Sequence, residues 1–266
     1  MTTPGVTLTV AGSDSGGGAG IQADLHTFKA HGMHGTSVLT AITAQNTVGV
    51  SFAQSVGPAT VAAQLDAVLS DFRVRAVKTG MLADVDTLDV VADYARKGRL
   101  PQLVVDPVMV TTSGDALFEG EAERYLYAFA DVPTLITPNR DEAERLSGRT
   151  IADLADARLA AKAIACRGPQ AVLVKGGHLG EGSTTDLLYI DDHVFTFSSD
   201  YVPTPNTHGT GCTLSAAIAA QLAMGRDVYQ AIDRAKKYLT RALRRAASWR
   251  LGAGPGPVEH ASQQGE

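Results

Sequence analysis

The chain has 266 residues, 44% of them hydrophobic, and sets 23 Lys and Arg against 28 Asp and Glu for a net charge of −5. That length can bury a sizeable core in one large domain or two small ones, and the acidic balance argues against non-specific nucleic-acid binding, which needs a basic face. Two cysteines, Cys166 and Cys212, lie far apart in no metal-ligand pattern, no leader sequence is visible, and no apolar run reaches the roughly 18 residues of a membrane span, so the expected compartment is a reducing cytoplasm.

In chain order, "VTLTVAG" (6–12) reads as a buried strand. A glycine-rich turn leads from it into a helix over 19–32, with Ile21, Leu25 and Phe28 on one face. "TSVLTAITAQN" is a strand again, and "TVAAQLDAVLSDF" a helix stepping through Val61, Leu65 and Val68. "RVRAVKTG" is a strand, followed by a helix in "DTLDVVADYARKG" that closes on Gly98. "QLVVDPV", "PTLITPN" and "AVLVKGG" are further buried strands. Helical patterns occupy 139–147, 153–167, 210–224 and 227–248, and 185–198 reads as a hairpin turning near Asp191–Asp192. Alternating strand and helix predicts an α/β fold, a mostly parallel sheet with helices on both faces, over residues 1–251. Residues 252–266, rich in Gly and Pro, are expected to be a disordered tail.

Ligands of open α/β sheets bind beyond the carboxyl ends of the strands, and the suggestive residues gather there. In "THGTGC", Gly209, Thr210 and Gly211 precede an apolar helical run, so free N–H groups and a positive dipole end can face an anion. Cys212 falls in the first turn, where a thiolate is favoured and its pKa is expected to fall. It can equally be a small buried side chain. His208 is either a base for a cysteine nucleophile or a loop histidine. "GSDSGGGAG" (12–20) lacks the Gly-Lys-Ser/Thr ending of a P-loop and the spacing of a dinucleotide fingerprint, and reads as backbone making room for a substrate. Asn139 and Glu142 share one helix face, as ligands of hydrated Mg²⁺ or as a capping pair. Asp106 ends a strand where it can join a magnesium network. Lys175 ends another as a point charge for a phosphate or a surface lysine, and Gln45 and Asn46 can read a heterocycle edge or make a turn. Lys236, Lys237, Arg241, Arg244 and Arg245 share a helix from which one lysine can reach the site. Cys166 is taken as packing.

The ordered set "AGSDSGGGAGIQADLHTF", "TAQNT", "VKTGML", "DPVM…SGD", "ITPNRDEA", "VLVKGGH" and "THGTGCTLSAAIAA" resembles the hydroxymethylpyrimidine/phosphomethylpyrimidine kinases, the thiamin-pathway branch of the ribokinase-like family, over residues 10–220. The resemblance implies a ribokinase-like three-layer sandwich, a homodimer, and ATP with Mg²⁺ as cofactors. It implies two successive phosphorylations of a small-molecule substrate, 4-amino-5-hydroxymethyl-2-methylpyrimidine, without nucleic-acid or membrane partners. Gln45 then matches the pyrimidine-binding glutamine and Asp24 an acidic residue near the substrate, with Gly12, Met81 and Val108 lining that pocket. Lys175, Thr210, Lys237 and Asn139 would serve ATP, and Glu142 and Asp106 the metal. Cys212 stands where sugar kinases of the superfamily carry an aspartate base, with Gly209 and Gly211 beside it as anion donors. Thr79 stands where a more apolar residue is expected. A pyridoxal kinase, a cysteine hydrolase using Cys212 and His208, and a catalytically silent pyrimidine-binding protein remain as alternatives.

Overall fold

The computed structural model describes residues 3–109, 117–176 and 183–260. In chain order the elements are β1 (Val6–Ser13), α1 (Gly20–Ala30), β2 (His34–Gln45), β3 (Val50–Ser55), α2 (Pro58–Asp71), β4 (Val74–Thr79), β5 (Ala83–Asp84) and α3 (Val85–Arg96). Then come β6 (Leu103–Val105), β7 (Phe118–Glu119), α4 (Glu123–Ala128), β8 (Thr134–Ile136), α5 (Arg140–Ser147) and α6 (Leu154–Ala165). The chain finishes with β9 (Ala171–Val174), β10 (Ser183–Ile190), β11 (His193–Asp200), α7 (Thr210–Ala223) and α8 (Val228–Ala246). The main sheet has nine strands in the order β11-β10-β9-β8-β6-β4-β1-β2-β3. The pairs from β9 through β8, β6, β4 and β1 to β2 are parallel, and both edges turn antiparallel, at β2–β3 and in β9–β10–β11.

Strand alternation sorts the core into two halves. Val105, Ile136, Val172 and Val174 face one half with Leu88 and Val91 of α3 and Ala160 and Ile164 of α6. Val104, Leu135, Ala171 and Leu173 face the other, with Phe28 of α1, Ile218 of α7 and Ile232 of α8. The result is a three-layer sandwich. Helix α7 is apolar on every side and buried from Thr213 to Ala223, as a helix wedged between a sheet and two other helices requires. The hairpin turn is where the sequence places it: Asp191 and Asp192 take φ of 48° and 62°, as a two-residue hairpin demands.

Four features differ from the expectation or escape it. Edge strand β3 is exposed over most of its length, so it lacks the apolar alternation that announces a strand. The paired two-residue strands β5 and β7 and the short helix α4 fall below any periodicity. Cys166 caps α6 and is exposed, so it is not a packing residue. Residues 252–260, expected to be disordered, are placed by contacts: Gly254 N donates to Thr47 Oγ1 at 3.1 Å, Gly256 N to Asn206 Oδ1 at 3.1 Å, and Val258 is buried. Short-range composition could not reveal those distant partners. Residues 261–266, with the "SGD" of 113–115 and Gly177 and His178, lie outside the described residues.

Candidate active site

Strand order reverses at β1, since β2 lies on one side of it and β4 on the other. A crevice opens beyond the strand ends at such a point, and a cavity of about 550 Å³ occupies it. Gly12, Thr43, Gln45, Met81 and Val108 line one end, and Thr184, Asp186, Tyr201, Lys236 and Leu243 the other. Between them stand Gly209, Thr210, Gly211 and Cys212.

That middle section is built from backbone. Gly209 takes φ 78° as the N-cap of α7, and no side chain caps the helix. A Cβ at Gly209 would run into the carbonyl oxygen of Gly18, so only glycine lets the α7 turn touch the loop after β1. Within the first helical turn Thr210 N donates to Thr207 O at 3.3 Å and Thr213 N to Gly209 O at 2.8 Å, which leaves the amides of Gly211 and Cys212, both in the cavity lining, to meet a ligand.

Beneath them lies a charged cluster. A Cβ on Gly211 would sit 3.5 Å from Lys175 Nζ and 3.8 Å from Asp106 Oδ2. Lys175 Nζ donates to Asp106 Oδ1 at 2.8 Å and lies 4.0 Å from Glu142 Oε2. Asp106 also accepts from Ser215 Oγ at 3.0 Å and Thr137 Oγ1 at 3.3 Å. Burial alone would raise the Asp106 carboxyl, but Lys175 and Lys78 hold it below its ordinary range. Burial raises Glu142 to about 7, and Asp106 adds to the rise while Lys175 opposes it. Asn139 and Glu142 form a full capping box on α5, Asn139 N donating to Glu142 Oε2 at 2.7 Å and Glu142 N to Asn139 Oδ1 at 2.8 Å. Both also line the cavity, so the capping and site readings hold together.

Cys212 is partly accessible from the cavity. The expected fall in its pKa is not found. Burial pushes the thiol up to about 11, with Asp24 and Asp106 adding to the rise and Lys78 opposing it. The helix terminus offers less than the loss of water costs, so the group rests as a thiol. His208 is not its partner: its Nε2 donates to Asp14 Oδ2 at 2.8 Å.

Two expected residues are displaced from the cavity. Asp24 is fully buried and does not line it. It pairs with Lys78, whose Nζ lies 3.0 and 2.8 Å from its two oxygens, and it accepts from Thr9 Oγ1 at 2.6 Å. Lys78 is the member of the pair that stands in the cavity wall, itself fully buried. Lys237 points to solvent and pairs with Asp233 at 2.7 Å. Its neighbour Lys236 takes the inward position, 2.7 Å from Asp186 Oδ2, because Lys236 and not Lys237 falls on the buried stripe of α8. Thr79 is fully buried and its hydroxyl has no hydrogen-bond partner, so it packs as the apolar residue expected there.

Lys78, Asp186 and Asp14 were missed by sequence reasoning. The first two carried a signal, a charged residue inside an apolar strand in "RAVKTG" and "TTDLLYI", since a buried charge needs a partner or a task. Among the described residues no three His, Cys, Asp or Glu side chains group closely enough to hold a metal, and no helix is long and apolar enough to cross a membrane.

The family model for phosphomethylpyrimidine kinase matches residues 14–259. A hydroxymethylpyrimidine/phosphomethylpyrimidine kinase of Rhizobium meliloti is 49% identical over 96% of both chains. Among solved structures, a phosphomethylpyrimidine kinase of Clostridium difficile superposes with a TM-score of 0.79 at 40% identity, over 90% of this chain and 99% of the other. The pyridoxal kinase of Bacillus subtilis, an ADP complex, superposes with a TM-score of 0.87 at 37% identity, over 97% and 98%. The architecture is the ribokinase-like three-layer sandwich. On sequence and fold together, the chain belongs to the phosphomethylpyrimidine kinase family.

Proposed function

We propose that this chain is an ATP-dependent phosphotransferase that phosphorylates 4-amino-5-hydroxymethyl-2-methylpyrimidine and then converts the monophosphate to the diphosphate in thiamin biosynthesis. The observation that carries the reading is the open N-terminus of α7, with Cys212 in its first turn, set between the two ends of one cavity and above Lys175. Two ligands entering from opposite ends meet at those amides. The pyrimidine occupies the end lined by Gly12, Gln45, Met81 and Val108, where the Gln45 amide addresses a ring edge. The nucleotide occupies the end with Thr184, Asp186 and Lys236.

Transfer joins the substrate oxygen to the γ-phosphorus and breaks the bond to the ADP oxygen. The hydroxymethyl proton passes to Cys212 Sγ in its thiolate form, which the Lys78 ammonium favours. The amides of Gly209, Gly211 and Cys212 and the Lys175 charge stabilise the phosphoryl oxygens. Glu142, with Asp106 beside it, suits a hydrated Mg²⁺ carried mainly by nucleotide phosphates, an ion that needs only one or two protein carboxylates. When bound it neutralises phosphate charge. We place the enzyme in the cytoplasm, as a homodimer, without nucleic-acid or membrane partners.

A second reading, pyridoxal kinase, is favoured by the likeness to the Bacillus subtilis enzyme. Purified protein with Mg-ATP and each substrate in turn, products resolved by mass, separates the two. Mono- and diphosphate from the pyrimidine are expected. Pyridoxal phosphate as the dominant product would move the chain to the B6 branch, and phosphorylation of neither would refute the kinase reading.

A further inference from the structure

His208 has no part in the chemistry described above, yet its imidazole lines the cavity. The carboxylate it meets, Asp14, is only 2% exposed. Asp14 Oδ1 accepts from Gly16 N at 2.7 Å, and Oδ2 from Gly18 N at 3.0 Å and Ala19 N at 2.8 Å. Burial alone would raise this carboxyl, but His208 and the loop amides hold it below its ordinary range. One carboxylate therefore shapes the whole loop between β1 and α1, and its remaining bond crosses to a histidine 194 residues away.

The histidine is itself seated by the end of the chain. His208 N donates to Gly256 O at 3.0 Å. Asn206 fixes the same turn, its Nδ2 donating to Ala246 O at 2.7 Å and Trp249 O at 3.1 Å while its Oδ1 accepts from Gly256 N at 3.1 Å. Immediately after His208 comes Gly209, whose backbone lies against Gly18. The substrate-side loop and the anion-binding turn are thus joined by one side-chain bridge and one close backbone contact.

We propose that His208 and Asp14 are positioning residues: they latch the loop after β1 to the α7 turn, in a seat supplied by residues 254–258, and so fix the distance between the two ligands. The kinetic consequence rests on the kinase reading, whereas the latch does not. The test uses the full chain with His208→Ala and with His208→Gln, whose amide nitrogen can reach the place of the imidazole Nε2. Kinetics, Tm and the rate of Cys212 alkylation by iodoacetamide, resolved from exposed Cys166 by peptide mass, are measured for each. His208→Ala is expected to lower kcat by about 10²-fold, the size of effect that a misplacement near 1 Å produces, with a smaller change in KM for ATP. It is also expected to speed Cys212 alkylation, and His208→Gln should recover both. Unchanged kcat and alkylation in His208→Ala would overturn the proposal. So would equal losses in both variants that follow the fall in Tm, which would mark a packing role. Should no form of the protein phosphorylate the pyrimidine, the kinase reading fails and the alkylation rates still decide the latch.

Discussion

Lys78 Nζ stands 3.0 and 2.8 Å from the two carboxylate oxygens of Asp24, and neither side chain has any exposed surface. Burial alone would lower the lysine's pKa, but the facing carboxylate, helped by Cys212 and Asp106, outweighs that and raises the ammonium above its ordinary range. Removing one partner leaves the other charge buried and alone, which typically costs about 3–5 kcal/mol. Asp24→Asn is therefore expected to lose stability on that scale in denaturant unfolding. Combining Asp24→Asn with Lys78→Met removes both charges and should recover part of the loss. Full additivity of the two single losses would contradict the pairing.

Cys212 supplies the pH signature. Its thiol is pushed up to about 11, so below that value the thiolate fraction grows tenfold per pH unit. With chemistry rate-limiting, kcat should climb between about pH 7 and 9, and Cys212→Ala should lower it by about 10²–10⁴-fold and flatten the profile. A flat wild-type profile would remove Cys212 as the proton acceptor.

Gly209→Ala introduces two faults together, a Cβ at φ 78° and a collision with the Gly18 carbonyl. A non-glycine residue in that region costs on the order of 1 kcal/mol before any collision. The variant should melt lower and bind ATP more weakly, whereas Gly98→Ala, with positive φ but open space around it, should lose only stability.

Adjacent lysines on α8 should behave differently. Lys236→Ala removes a buried charge from the cavity and from Asp186, and a charged hydrogen bond is worth about 1.5–3 kcal/mol. A fall of about tenfold or more in kcat/KM for ATP is expected on that scale. Lys237→Ala, trimming an exposed i,i+4 pair, should leave ATP kinetics near wild type.

These contrasts mark what the sequence could show. The helix and strand periods, the glycine turns and the cavity residues Gln45, Met81, Lys175 and Cys212 were legible because each lies in a local pattern. The choice of Lys236 over Lys237 depends on the rotation of α8 against β10, which a one-residue step decides. The retreat of Asp24 from the cavity depends on Lys78, which is 54 positions away. The placement of residues 254–260 rests wholly on distant partners such as Thr47 and Asn206.

His260 carries the last expectation. Burial, with His26 beside it, lowers its pKa from 6.5 to about 4, and its Nε2 lies 2.9 Å from Thr213 Oγ1. The unfolded chain takes up a proton between those values and the folded one does not. The contribution of this group is thus complete above about pH 6.5 and is lost as pH falls towards 4, on the order of 3 kcal/mol in all. His260→Gln should flatten the Tm-against-pH curve in that window, and an unchanged slope would contradict the assignment.

Helix α7 gives the site an unusual anchorage. Its first turn faces the cavity, while everything from Thr213 to Ala223 is enclosed between the sheet and helices α1 and α8. Amides in so enclosed a helix are expected to exchange with solvent at the high-energy end of the opening range, near global unfolding. The turn at the cavity is accordingly tied to an element expected among the last to open, so its donors should hold their aim through the local fraying that loosens surface segments.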